Sequence, residues 1–295
     1  MINAFNQKIP KMEEILDNQK IRGYIQNTLV SVLETLGAQD TSSITDDILK
    51  LAVENDYEKK AHEYLETRGV TSQNLTTSLS GRAELMYNQI KDHIKTGSVL
   101  DYGCGDGKVG ERLSKEGLEV VLADVYKHSH IEQTGLPFVQ FVQGENMPST
   151  EQYDNTLLFT VMHHSDDPIK TLLDAKAKTK KGGRIYIIES VYGIGTDKKD
   201  SYKSQIAEGF KKLDTEEQRQ ANIFFDHFYN RVIHYSSEPK TKVNVPFNFR
   251  QPEGRDSWQE IFANNGLKEI KTEYLGIDQA TVPEYHTLHI VEVKE

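Results

Sequence analysis

Apolar positions along the chain change their period twice. Up to about residue 95 they recur at helical spacing. Ile21, Tyr24, Ile25, Leu29, Val32, Leu33 and Leu36 fall on one face, and Gly37 is placed to stop the helix. Thr45 ahead of an Asp-Asp pair, with Ile48, Leu49 and Leu51 behind it, predicts a second capped helix. Tyr57–Leu65 and Arg82–Ile94 predict two more. From Ser98 onward strand and helix patterns alternate, as in a doubly wound α/β sheet. The predicted strands are the run from Ser98, then Glu119–Asp124, Phe138–Val142, Thr156–Val161 and Arg184–Glu189, with a helix over Pro168–Lys178. The alternation then stops. Residues 191–250 read as a helical, aromatic-rich insertion (Tyr202–Leu213, Thr215–His234). A helix over Trp258–Asn264 and strands over Lys268–Leu275 and Thr287–Val293 complete a seven-stranded count. The predicted layout is a helical accessory region over 1–80 and an α/β domain over 81–295, interrupted by the insertion.

The turn after the first strand carries the chemistry. Val99-Leu100-Asp101-Tyr102-Gly103-Cys104-Gly105-Asp106-Gly107 sets an acid ahead of three glycines at alternate positions, and helical spacing follows at Val109 and Leu113. A strand, a tight turn and a helix open an α/β nucleotide-binding unit, and glycine there lets the backbone lie against a ligand. Gly105-x-Gly107-x-x-Gly110 also satisfies the dinucleotide pattern. Asp101 separates the two readings, because a carboxylate at that strand end repels a pyrophosphate and attracts an ammonium group. S-adenosylmethionine carries a sulfonium and an ammonium and no phosphate.

This nine-residue run resembles motif I of the class I S-adenosylmethionine-dependent methyltransferases. The resemblance spans about Gly81 to Glu189 and resumes near Trp258. It implies a seven-stranded doubly wound sheet with an antiparallel last strand, S-adenosylmethionine as cofactor, and a cap insertion over the acceptor pocket. Ligands of open α/β sheets bind past the carboxyl ends of the strands. Asp101, Gly103, Cys104 and Gly105 are therefore the candidates after the first strand. Asp124, about 20 residues on, is placed to accept from a ribose diol, with Val125 beside it. Glu145 or Asn146 would meet the adenine amino group and Met147 would pack on the ring, as the resemblance implies. Thr160 follows the fourth strand, and then His163 and His164, a pair similar to one found often in small-molecule methyltransferases. His163 is the member expected at the reaction centre.

Composition narrows the partners. The chain has 295 residues, a formal net charge of −10 and one cysteine. An acidic balance argues against a nucleic-acid partner, which needs clustered Lys and Arg to neutralise phosphates. The loop after the fourth strand also lacks the Asn/Asp-Pro-Pro-aromatic motif of the enzymes that methylate base amino groups. Cys104 reads as a small residue filling the turn, and a lone cysteine forms no intrachain disulfide. No basic-then-apolar leader and no apolar run of about 18 residues occurs, so a cytoplasmic protein without a membrane span is expected. The N-terminal helices are candidates for a homodimer contact or a lid.

The insertion holds the candidate acceptor side in Asp226-His227-Phe228-Tyr229-Asn230-Arg231. His227 beside an acid is a candidate general base for an acceptor hydroxyl. Arg231 and Arg250 are candidate anchors for an acidic acceptor. His286 and His289 point to opposite faces of a strand, so at most one of them can reach the site of His227; a two-histidine metal site of His227 and His286 is conceivable, and metal use stays open. The sequence thus reads as a methyltransferase of a small-molecule acceptor, acting on O, N or C. Its rivals are a protein or tRNA methyltransferase, a non-catalytic S-adenosylmethionine-binding scaffold and, for the charge reason above, most weakly a dinucleotide oxidoreductase.

Overall fold

The computed structural model describes residues 11–78, 81–165, 167–191, 205–235, 255–277 and 285–294. The chain divides into two compact units, one of residues 1–80, 191–253 and 275–285, the other of 81–190, 254–274 and 286–295.

The first unit begins with five helices: α1 (Met12–Asp17), α2 (Gln19–Thr35), α3 (Thr41–Leu51), α4 (Tyr57–Thr67) and α5 (Ser72–Ser78). The Asn18 side chain caps α2 by accepting from the Lys20 and Ile21 amides, and the helix buries the predicted stripe from Ile21 to Leu33. Gly37 follows at φ +83°, the left-handed conformation that ends a helix. Helix α3 starts at Thr41, four residues before the predicted cap. Thr45 is instead buried beside Ile44, Ile48 and Leu49 on the inner face, its hydroxyl too deep in the helix to cap anything.

The second unit is built on the sheet. Its helices are α6 (Arg82–Ile90), α7 (Lys108–Lys115), α8 (Ile131–Thr134), α9 (Pro168–Ala177) and, later in the chain, one over Arg255–Asn264. Its strands are β1 (Ser98–Tyr102), β2 (Glu119–Asp124), β3 (Phe138–Gln140), β4 (Tyr153–Phe159), β5 (Thr179–Val191), β6 (Leu267–Ile277) and β7 (Tyr285–Val293). They lie in the order β3-β2-β1-β4-β5-β7-β6, with the last strands antiparallel. β1 pairs in parallel with both β2 and β4, β2 with β3 and β4 with β5. The central strands are apolar on both faces, since helices cover the two sides of a parallel sheet. Only Ser98 of β1 is less than fully buried. The strand order reverses between β1 and β4, and the carboxyl ends there open the crevice in which such sheets hold ligands.

The fourth strand ends at Phe159, short of the predicted Val161, because Thr160 turns to φ +55°. Helix α6 likewise stops at Ile90, four residues early, in a turn before β1.

The described part of the insertion belongs to the first unit. It contributes α10 (Gln205–Lys211) and α11 (Thr215–His227), and α11 continues into a π-helical turn over Phe228–Ile233. A single α-helix was expected over 215–234. Asp214 and Glu217 form a reciprocal capping box at the start of α11, with bonds of 2.8 and 2.9 Å. Tyr24 of α2 meets the rings of Phe210 and Phe225 at 5.7 and 6.5 Å, so N-terminal helices and insertion share one aromatic core. Among the described residues no helix is long and apolar enough to cross a membrane.

The turn between β1 and α7 constrains the second unit most tightly. The Gly103 amide donates to Ala123 O at 2.7 Å, and the residue sits at φ +76°. A Cβ there would stand 2.4 Å from a methyl of Val161. Gly103→Ala should therefore lower unfolding free energy by about 2–4 kcal/mol, from left-handed strain plus overpacking. Urea denaturation measures it, and an unchanged midpoint would show that the turn yields freely.

Candidate active site

Two acids hold the Gly-rich turn. Asp101, at the end of β1, is 3% exposed, and its Oδ2 accepts from the Gly110 amide of α7 at 3.1 Å. Burial pushes its carboxyl up to about 7, against the pull of the Gly110 amide, and the nearby Asp124 and Asp106 charges push the same way. Asp124, at the end of β2, accepts from the Gly105 amide at 2.8 Å and the Tyr126 amide at 3.2 Å. Burial raises its carboxyl too, and the backbone donors hold it down.

Three glycines in this turn do different work. Gly110 lets α7 lie against β2, since a Cβ there would stand 2.5 Å from Leu122. Gly103 fits under Val161. Gly105, at φ +54°, faces open space with nothing within 4 Å of a built Cβ. The open face thus lies over Gly105, beside the Asp124 carboxylate. Cys104 is half-buried, and burial raises its thiol away from the thiolate form, which fits a turn filler.

The loop after β3 lies next to this face. Glu145 and Asn146 are exposed in it, and Val125 is exposed just beyond β2. Met147, expected to pack on an adenine ring, is 2% exposed, while Val125, Tyr126 and Val142 are the exposed large apolar residues of the loops after β2 and β3. The Met147 amide and the Tyr102 hydroxyl both donate to Asp174 Oδ2, at 2.8 and 2.9 Å. Asp174, buried on α9, thereby joins the loop after β3 to the Gly-rich turn. Gln143 donates to His164 O at 3.2 Å and Lys170 to Gly144 O, which join that loop to the next.

Thr160 occupies the end of β4, its amide donating to Ile188 O at 2.7 Å. A β-branched residue at positive φ is a strained conformation of the kind that collects at functional sites. Beyond it a 3-10 turn over Met162–His164 brings His163 against the end of β5. His163 is 4% exposed, and its Nδ1 lies 2.5 Å from Glu189 Oε2. The other Glu189 oxygen accepts from the Met162 amide at 2.8 Å. Sequence reading passed over Glu189 and Asp174. The available signal was an acid set among apolar neighbours, Ile187-Ile188-Glu189 in a strand and Leu172-Leu173-Asp174-Ala175 in a helix.

His227 lies in the other unit. Its Nδ1 is 2.9 Å from the Tyr57 hydroxyl of α4 and 3.9 Å from Glu58, which Arg231 also reaches at 3.4 Å. His289 is buried, bonded at its two nitrogens to Thr272 and Thr287, and covered by Trp258 at 4.3 Å between ring centroids. Burial lowers its pKa to about 3. His286 is buried in β7 of the sheet, and Arg250 lies outside the described residues. Among the described residues no group of three or more His, Cys, Asp or Glu side chains could hold a metal.

A model of the methyltransferase domain matches residues 79–270, about two thirds of the chain. A ubiquinone biosynthesis O-methyltransferase of Ruegeria is 34% identical over 93 residues, 29% of this chain and 38% of that protein. The enzyme of the same description from Aliivibrio fischeri is 30% identical over 97 residues, 30% and 42% of the two chains. The match thus spans about two fifths of these relatives' length. In structure, the chain is similar to the 1,6-didemethyltoxoflavin-N1-methyltransferase of Burkholderia thailandensis, solved with 1,6-didemethyltoxoflavin and S-adenosylhomocysteine bound. The TM-score is 0.50 at 12% identity, covering 82% of this chain and 92% of that one. With the strand order and the acid-held glycine turn, these matches establish that the chain belongs to the methyltransferase-domain family and has the class I fold, whose methyl donor is S-adenosylmethionine.

Proposed function

We propose that this protein transfers a methyl group from S-adenosylmethionine to a small-molecule acceptor. The observation that carries the reading is the open face over Gly105 flanked by the Asp124 carboxylate. A purine nucleoside with a cationic tail fits that donor set: backbone without side chains, an acid for a diol, exposed Glu145 and Asn146 for a base edge, and Asp101 for an ammonium group. The donor supplies an electrophilic methyl on a positively charged sulfur. The chain's own part is to bind and align the two molecules and exclude water, which supplies much of the acceleration in a two-substrate reaction. The O-methyltransferases among the relatives support a small acceptor. Of the two candidate bases, His163 shares a unit with the Gly-rich turn. What is seen of His227 is its bond to Tyr57.

Asp124→Ala removes a carboxylate proposed to accept two ribose hydroxyls, at about 1.5–3 kcal/mol for each charge-assisted bond. Affinity for S-adenosylhomocysteine, measured by calorimetry, should fall at least about tenfold. An unchanged affinity would assign the ribose elsewhere. Gly105→Ala should cut the same affinity while costing only about 1–2 kcal/mol of stability, since its methyl enters open space but keeps a positive φ. Equal binding would show that no ligand approaches that backbone.

Asp101 makes binding pH-dependent. With its folded pKa raised from the ordinary 3.8 to about 7, the folded state holds a proton that the unfolded chain releases near 4. That contribution to stability is full below pH 4 and is lost as pH rises through 7. An ammonium group favours the charged carboxylate, so S-adenosylhomocysteine should bind more tightly at pH 8 than at pH 6 and release a proton near pH 6.5. Calorimetry in buffers of different ionisation enthalpy reads this directly, and proton uptake on binding would contradict it.

His227→Ala should lower stability by about 1 kcal/mol through loss of the Tyr57 bond, with S-adenosylhomocysteine affinity unchanged. A large loss of affinity would give His227 a role in donor binding.

A further inference from the structure

The hydrogen-bond ladder of the sheet has a gap at the amino end of β2. That strand pairs with β1 from Glu119 to Ala123, but β3 reaches only Leu122, Ala123 and Asp124. Successive residues of a central parallel strand turn their amide and carbonyl to alternate neighbours. The Ala123 carbonyl accepts from Gly103 on the β1 side, and the Leu122 amide donates to Pro137 O at 2.9 Å on the β3 side. Val120 therefore turns both its groups toward the β3 side, short of where β3 begins. The chain nearest that place is Pro137, which has no N–H to give, and Gly135 turns the backbone at φ +67° just before it. Among the described residues no backbone bond reaches Val120 from that side.

A groove of about 600 Å³ runs across this gap. Ser98, Glu119 and Tyr153, the first residues of β1, β2 and β4, all line it, so it lies at the opposite end of the strands from the ligand crevice. Leu118, Val121, Leu136 and Pro137 give it an apolar wall. Its charged groups are two exposed acids, Glu119 and Glu151. We propose that this groove docks an extended, basic segment of a partner protein, seated beside Val120 in the place β3 would fill if it ran back as far as Glu119. An amide and a carbonyl of one strand are matched by the backbone of another, while alternate side chains of the added strand meet the groove wall. The two carboxylates set the sign of the partner. They attract Lys or Arg and repel the phosphates of a nucleic acid or an anionic membrane. A second copy of this chain would bring the same acids to the joint. The open edge, Glu119–Val121, is about 10 Å long, which suits a short strand and a reversible contact.

Hydrogen exchange read by NMR on the full chain tests the gap itself. In valine-labelled protein the signal lost in Val120→Ile identifies the Val120 amide. It should exchange at least about tenfold faster than the Val121 amide, which faces β1. Equal protection would overturn the proposal by showing that the edge is closed. The binding probe is acetyl-Lys-Val-Lys-Val-Lys-amide, set against the glutamate peptide of the same spacing. The lysine peptide should shift the Val120 signal and, at saturation, slow its exchange at least about tenfold. Glu119→Lys combined with Glu151→Lys should weaken that peptide at least about tenfold and favour the glutamate peptide, with near-ultraviolet circular dichroism unchanged. Added salt should weaken the lysine peptide in the wild type, a readout that needs no variant. No shift of the Val120 amide at about 5 mM lysine peptide would overturn the proposal. So would equal binding of the two peptides, or undiminished binding of the lysine peptide by the double variant.

Discussion

The bond from the Gly105 amide to Asp124 is the contact on which the site depends. It runs from the turn after β1 to the end of β2 and fixes the distance between a bare backbone and an acid. The second carboxylate, Asp101, works one layer deeper by tying the end of β1 to the third residue of α7. Asp124 lies within Coulombic reach of Asp101, and with Asp106 it raises the cost of ionising that buried carboxyl. Such an arrangement is poorly suited to a phosphate, and it is relieved by a cation. The same charge arrangement that shapes the empty turn therefore selects the ligand.

Outward from the turn, the loops at the carboxyl ends of the strands are joined by polar side chains, some buried and some exposed. Asp174 ties the loop after β3 to Tyr102, Gln143 and Lys170 tie that loop to the one after β4, and Glu189 ties the latter to β5. Removing one member of a buried ionic pair typically costs about 3–5 kcal/mol, because the partner is left uncompensated. These acids hold the loops, and the exposed residues of the loops meet the ligands.

Much of this was legible in the sequence, for particular reasons. The acid before alternate glycines has few other physical uses, so the end of β1, the turn and the start of α7 were read in the right order. The strand over Glu119–Asp124 was bounded correctly because charged residues close both of its ends. What failed depended on long-range contacts. Met147 is apolar and follows two polar residues, and nothing local says that Asp174 pulls its amide into the core. Thr45 looks like a cap until Asp40 is seen to turn the chain five residues earlier. The π turn after His227 and its bond to Tyr57, 170 residues away in sequence, cannot be read from a helical repeat. Glu189 was overlooked because an acid at a strand end usually meets solvent, and here it meets His163.

The central claim is that the glycine turn holds an S-adenosyl group. Calorimetry of the wild-type protein against S-adenosylhomocysteine and against NAD tests it most directly. Stoichiometric binding of S-adenosylhomocysteine with no heat from NAD is the predicted result. Binding of NAD without S-adenosylhomocysteine would contradict the account.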